Sequence, residues 1–374
     1  MSMSIDAAIP PAGAPPWEES ALSTPVGRRP LWLSFHIFYG SNPFELLTRC
    51  VRPLVRRLKE ADQIVRWFYI NYWLEGNHIR LRLAVHSDKD RVAVEEQVVR
   101  TVQEYLRLNP SFHPSAELES ADYYDRLFAA EFSDADRDKY FDADGHPIIQ
   151  PDSSISVRSY EPEWDRYGGP VGIEIAEEHF ELSAEIAAEL IAKGNMGVRS
   201  VQLGVGAELM AVLVGTLFPD RDEAMAFLEN YHQRWASMFE DSRDYVERHN
   251  TGRFSENHRT ILKQVVPVYE AARRGGDGLT GVLRDWREAV SRTRQRLEAA
   301  AAEAPFQFAW QGGGETTSDI DRLCWRVGFS YQHMMDNRLM LSVSDEAYLS
   351  FELLKALAAA GERGLDGNDG QVAA

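Results

Sequence analysis

Cysteine is almost absent from this chain of 374 residues: Cys50 and Cys324 stand far apart and outside any CxxC or Cys/His ligand spacing. That excludes a disulfide framework and the usual zinc sites, and it fits a reducing, cytoplasmic setting. Basic charge is also in short supply, since 40 Lys and Arg against 58 Asp and Glu leave a formal net charge of −18. Nucleic-acid binding needs clustered cations to displace condensed counterions. No direct nucleic-acid contact is therefore expected, and any arginine cluster is a local exception. No run approaches the roughly 18 apolar residues of a membrane span. The N-terminal MSMSIDAAIPPAGAPPWEES lacks the basic-then-apolar order of a signal peptide, so neither a span nor secretion is expected. Catalytic and phosphate-binding signatures are missing too: there is no GxxxxGK[ST], HExxH or GxSxG, and LGVGAELM lacks the third glycine of GxGxxG. The acids of EFSDADRDKYFDADG (131–145) miss the spacing and closing glutamate of an EF-hand. No metal and no cofactor is read from the chain.

What is present is enough apolar residue, 44% with 11% aromatics, to build a sizeable core. Residues 1–28 are rich in Pro, Ala and Ser, and 361–374 in Gly and Asp, which makes both disordered tails around one folded unit at 29–360. WLSFHIFYG reads as a strand, and the following SNPFELLTRCVRPLVRRL as a helix capped by Ser41 or Asn42 with Pro43 in its first turn. IVRWFYINYW and NHIRLRLAV, joined across Gly76 and Asn77, read as a β-hairpin. A helix over 89–108, an irregular connection over 109–154 and a strand in SISVRSY follow. From Gly172 the periodicity is helical, through HRTILKQVVPVYEAARR and VLRDWREAVSRTRQRLEAAAAEA to a helix beginning at Ser318 and Asp319. A last helix, DEAYLSFELLKALAAA, carries its acids at the positive N-terminal end. The expected class is α+β: N-terminal antiparallel strands and a hairpin packed with a largely helical C-terminal half.

Three stretches hold the candidate chemistry. In NHIRLRL, strand alternation puts His78, Arg80 and Arg82 on one face and Ile79, Leu81 and Leu83 on the other. The two arginines start roughly 7 Å apart and repel unless an anion or carboxylates face them. On these residues alone, a wet strand face and an anion-binding face are both open. In VRSYEPEWDRYGGPVG, Glu163 and Arg166 share one side of a turn ahead of Gly168, Gly169 and Pro170, as a local salt bridge or as part of a site. In FSYQHMMDNRLMLS, His333 and Asn337 lie at i, i+4 on one helical face, as packing residues or as ligand contacts.

Taken together and in this order, WFYINYW–GNHIRLRL, SYEPEWDRYGGP and SYQHMMDNRL resemble the thiopeptide-type bacteriocin biosynthesis family. Its domain is also the C-terminal glutamate-elimination domain of class I lanthipeptide dehydratases. The likeness runs from Pro30 to Ala360. It implies an enzyme that eliminates glutamate from glutamylated Ser or Thr of a precursor peptide, leaving dehydroalanine or dehydrobutyrine.

Carried over, the family's H-x-R-x-R arginines fall on Arg80 and Arg82, its E-x-x-R-Y-G-G pair on Glu163 and Arg166, and its H-x-x-x-N-R histidine on His333. The resemblance thus implies Arg82, Arg166 and His333 as catalytic, with His78, Arg80, Glu163 and Asn337 binding substrate. Asn71 stands where the family often has arginine, and Asn77 where its turn usually has proline. The implied partners are a ribosomal precursor peptide with its leader and a separate tRNA-dependent glutamylation subunit, and a homodimer is among the assemblies the family allows. Two rivals stay open: a pyridine synthase joining two dehydroalanines in a formal [4+2] cycloaddition with leader expulsion, and a non-catalytic scaffold that binds the precursor.

Overall fold

The computed structural model describes residues 30–112, 125, 128, 129, 136–237, 263–309 and 314–366. The expected N-terminal tail, residues 131–135 of the acidic stretch and the final residues from 367 lie outside the described residues.

Four strands build the sheet: β1 (Leu31–Phe38), β2 (Arg66–Tyr72), β3 (His78–Val85) and β4 (Ser154–Arg158). All neighbours are antiparallel, in the order β2-β3-β1-β4. Alternation decides its two faces. Leu33, Phe35 and Ile37 of β1 and Ile79, Leu81 and Leu83 of β3 are sealed in the core, each such side chain contributing about 1.5–3 kcal/mol by leaving water. In the other register Arg82 lies across from Ser34 and Phe68, Arg80 from His36 and Ile70, and His78 from Phe38 and Tyr72.

Between β1 and β2 the chain forms α1 (Phe44–Leu46), a π-helical turn (Leu47–Val51) and α2 (Arg52–Glu60). Neither expected residue is the cap: Pro43 takes the N-cap position with no side-chain capping bond, because proline has no N–H and Asn42 bonds one residue further on, its Oδ1 accepting from the Phe44 N–H at 2.9 Å. In the turn of the hairpin, Glu75 and Gly76 take positive φ, and the Asn77 carbonyl accepts from the Tyr39 N–H at 3.0 Å. Helix α3 (Asp88–Leu108) starts at Ser87, whose hydroxyl accepts from Asp90 N. Its buried stripe recurs every fourth residue, Val94, Val98, Val102 and Leu106, and packs against β1 and β3. A short α4 (Arg137–Tyr140) precedes β4.

The second half is helical: α5 (Trp164–Tyr167), α6 (Gly169–Lys193), α7 (Arg199–Leu217), α8 (Arg221–Ser237), α9 (residues 263–273) and α10 (Gly281–Glu303). A two-stranded ribbon of β5 (Phe306–Phe308) and β6 (Glu315–Thr317) follows, then α11 (Ile320–Arg338) and α12 (Val343–Asp366). The α+β expectation holds. The ribbon had no periodic signal, because three-residue strands are too short to show one. The last helix continues to Asp366, past the Gly at 361 where the composition change suggested the fold would end. Helix α7 is a correction: it is long and apolar enough to cross a membrane by length and composition, contrary to the expectation of no such segment. Its apolar window is 67% buried inside the fold, with Leu209 through Leu217 packed on all sides, and a helix hydrophobic all round is what a buried core position requires.

Two junctions aim the site. Gly168 joins α5 to α6 at φ +87, in the left-handed region, and a Cβ there would come within 2.8 Å of Phe306 and 2.9 Å of Phe308. Glycine alone suits both demands. At the free edge of β2, the Asn337 side chain accepts from Asn71 N–H at 2.9 Å and donates to Asn71 O at 2.8 Å, replacing a missing strand. Arg338, fully buried, donates from Nε to Tyr69 O and from Nη1 to Met334 O, both at 3.0 Å. These bonds clamp the C-terminal end of α11 to the sheet.

Candidate active site

A cleft of about 930 Å³ opens between the polar face of the sheet and the helical half. On the sheet wall, Arg82 is 6% exposed. Its Nη2 meets His36 Nε2 at 3.5 Å, and its Nε and Nη1 have no hydrogen-bond partner among the described residues. Burial, and secondly the charge of Arg80, pull its pKa down to about 9. Arg80 lies with its guanidinium carbon 3.2 Å from the Tyr72 ring centroid and donates from Nε to His78 Nε2 at 3.3 Å. His78 Nδ1 is 2.8 Å from Gly76 O. A carbonyl only accepts, so Nδ1 carries the proton and Nε2 receives the arginine. Burial first, then Arg80, lowers the His78 pKa to about 3. His36 stacks on His78 at 4.8 Å, and burial, followed by Arg80 and Arg82, holds it far below the ordinary histidine range. Both rings are neutral near pH 7.

The neighbouring arginine of the sheet is already neutralised: Arg158 forms a two-pronged pair with Glu75, at 2.7 and 3.0 Å. Arg82 differs, since its Nη2 meets the neutral His36 and the Tyr160 ring lies 5.6 Å away. At the α5 turn, Arg166 donates from Nε to Ser330 Oγ at 2.8 Å and from Nη1 to Glu163 at 3.2 Å. On the helical wall, His333 Nδ1 is 2.9 Å from Glu346 Oε1 and 3.2 Å from Oε2. The Tyr231 hydroxyl donates to Glu346 Oε2, and Trp235 lies against the His333 ring at 4.9 Å.

Six of the seven expected site residues line this one cleft: Arg80, Arg82, Glu163, Arg166, His333 and Asn337. The wet-strand alternative for NHIRLRL fails, because Arg82 is buried. His78 is not among the lining residues. It stands 3% exposed behind Arg80, with both ring nitrogens spent on Gly76 and Arg80. Asn337 lines the cleft, but its amide is engaged by the Asn71 backbone, and Asn71 in turn donates from Nδ2 to Asn337 O at 2.7 Å.

Sequence reasoning missed His36, Tyr160 and Glu346. His36 alternates with Ser34 and Phe38 in an obvious strand, a signal that could have placed it on the arginine face had the strand order been known. Glu346 read as an ordinary acid in a first helical turn. Among the described residues one group has metal-ligand proximity: Asp142, Asp144 and His146, with ligand atoms within 4.8 Å, all exposed and outside the cleft lining.

The family model described as the lantibiotic biosynthesis dehydratase C-terminal domain matches residues 32–357. The chain belongs to this family. The lantibiotic dehydratase C-terminal family modifies ribosomally made peptides, and solved structures share its fold. The pyridine synthase TbtD from thiomuracin biosynthesis superposes with a TM-score of 0.65 at 19% identity, over 88% of this chain and 98% of that one. TsrL superposes with a TM-score of 0.60 at 14% identity, over 89% and 96%. The tRNA-dependent lantibiotic dehydratase MibB from Microbispora sp. 107891 aligns at a TM-score of 0.49 and 19% identity, over 91% of this chain and 29% of MibB. No curated protein matches the chain.

Proposed function

We propose that this family member eliminates glutamate from glutamylated Ser or Thr of a precursor peptide, with residues 29–360 acting as one elimination domain. The observation that carries the reading is Arg82: a desolvated guanidinium with two unpartnered nitrogens, in a cleft that also holds a carboxylate-bound histidine. A buried cation with unused donors calls for an anion. The leaving glutamate supplies one.

In the reaction a base removes the Cα proton, the electron pair forms the Cα–Cβ double bond, and the Cβ–O ester bond breaks to release glutamate as a carboxylate. Arg82 and Arg80 hold that carboxylate, and Arg166, fixed by Ser330 and Glu163, meets the charge developing on the peptide carbonyl. His333 moves the proton. With Nδ1–H directed at Glu346, the neutral ring has its lone pair on Nε2. Arg82 stays cationic at neutral pH, since about 9 is still above it, so an anion-holding role suits it better than that of a base. His78 and Asn337 hold Arg80 and the β2 edge in place. The glutamyl ester comes from a separate tRNA-dependent glutamylation subunit, which the chain's strongly acidic balance supports.

A second reading has its own support. Trp235 and Phe329, packed on each other with ring centroids 5.3 Å apart, line the cleft together with His333, an aromatic wall that suits a forming pyridine ring, so formal [4+2] cycloaddition of two dehydroalanines with leader expulsion suits the same cleft. Incubation of the protein with a glutamylated precursor, followed by mass spectrometry, separates the two. Release of glutamate with gain of an alkene is the expected result. An inert ester, with a bis-dehydroalanine peptide converted to a pyridine macrocycle, overturns it.

A further inference from the structure

Glu346 stands in the first turn of α12 and is 0% exposed. A carboxylate at a helix start ordinarily complements the dipole from the solvent side. Buried, it is costly unless hydrogen bonds and a countercharge replace the water. Here the replacement comes from two other helices. His333 of α11 approaches both oxygens, and Tyr231 of α8 donates its hydroxyl to Oε2.

The surrounding groups fit a fixed carboxylate. Asp336, also fully buried, is bonded by Gln332 at 2.8 Å. Burial, and secondly the charge of Glu346, push the Asp336 carboxyl well above the ordinary carboxylate range. Burial and Glu346 likewise keep the Tyr231 phenol protonated, so it remains a donor. Trp235 packs on the imidazole, which limits its rotation. Side chains of α8 and α12 thus meet the imidazole carried by α11, the carboxylate at its Nδ1 and Trp235 against its ring.

We infer that Glu346, supported by Tyr231, is the positioning residue for His333: it selects the Nδ1–H tautomer, sets the ring plane, and stabilises the imidazolium formed when Nε2 takes up a proton. The inference rests on the proton-moving role of His333 proposed above. It adds a carboxylate that touches neither substrate nor reacting atoms.

The test uses the full chain in two measurements. In 15N-histidine NMR without substrate, with His333 assigned through His333→Gln, the neutral ring is expected to carry its proton on Nδ1, and that resonance is expected to move upfield in Glu346→Gln. With the glutamylated peptide, Glu346→Gln is expected to lower kcat by about 10²-fold or more with KM little changed; Tyr231→Phe is expected to lower it less and to keep the tautomer. Glu346→Gln preserves side-chain volume, and the wild-type tautomer needs no folded Glu346 variant. Wild-type kcat in Glu346→Gln, or a neutral His333 protonated on Nε2 in an active enzyme, overturns the assignment. An Nδ1–H tautomer in a protein that leaves the ester inert supports the positioning contact and overturns the elimination reading instead.

Discussion

On the sheet side of the cleft Arg82 keeps Nε and Nη1 without a partner, whereas on the helical side the equally enclosed Glu346 is bonded by His333 and Tyr231. Both walls remove charge from water, and they compensate it differently. Folding completes the helical wall, because its donors and acceptor arrive on three helices of the same chain. The sheet wall places two arginines two residues apart on one strand face, and the histidines beside them are neutral. On the proposed reading, its countercharge comes from the leaving glutamate. A comparison within the sheet makes the same point: Arg158 pairs with Glu75, whereas among the described residues no acid pairs with Arg82.

Arg82→Met is the largest perturbation of this contrast. Removing one preorganised donor from a reacting anion is expected to lower kcat by about 10²–10³-fold. Replacing a buried, uncompensated cation by a similar apolar volume is expected to raise stability by about 1–3 kcal/mol. Mass-spectrometric rates and urea unfolding measure the two, and an active but destabilised variant would break the comparison. pH sharpens it. Burial pulls the Arg82 pKa from the ordinary arginine range down to about 9 on folding, so between the folded and the ordinary value the unfolded chain binds the extra proton and stability rises with pH. The burial penalty is fully present below about 9 and is relieved above it. Any rise in Tm caused by added glutamate should fade over the same interval, and its persistence in Arg82→Met would place the anion elsewhere.

The joint between the walls comes next. Gly168→Ala forces a left-handed alanine against Phe306 and Phe308, with an expected loss of about 2–4 kcal/mol. Gly169 has the same φ of +87 but open space for a Cβ, so Gly169→Ala should lose only about 1–2 kcal/mol. Equal losses in chemical unfolding would mean that backbone strain, and not the ribbon packed on the α5 turn, sets the requirement. Asn337→Ala tests the edge of β2, with an expected loss of about 1–3 kcal/mol for leaving Asn71 N–H and C=O unsatisfied. Faster hydrogen exchange at the Asn71 amide should accompany it. Unchanged exchange would show that the clamp of α11 on β2 does not depend on this side chain.

Much of the scaffold was legible because its signals are local. Alternation in β1 and β3, the Asp319 cap, and the helical periodicity of α3 each lie within one stretch of chain, where backbone geometry converts spacing into a face. Motif order also led to the family and to six of the lining residues. The three-residue strands β5 and β6 carried too little pattern to see. Helix α7 shows the opposite failure, in which composition alone cannot separate a bundle's central helix from a membrane span.

By itself the sequence determined that Arg80 and Arg82 share a face, that Glu163 and Arg166 share a turn, and that His333 and Asn337 share a helical side. Tertiary structure alone decided what those faces meet. It put neutral His36 beside Arg82, withdrew His78 behind Arg80, committed the Asn337 amide to Asn71, and brought Tyr231 across 115 positions to Glu346. The reason is physical: the period of a strand or helix fixes direction within an element, but desolvation and hydrogen-bond satisfaction depend on which distant elements pack there.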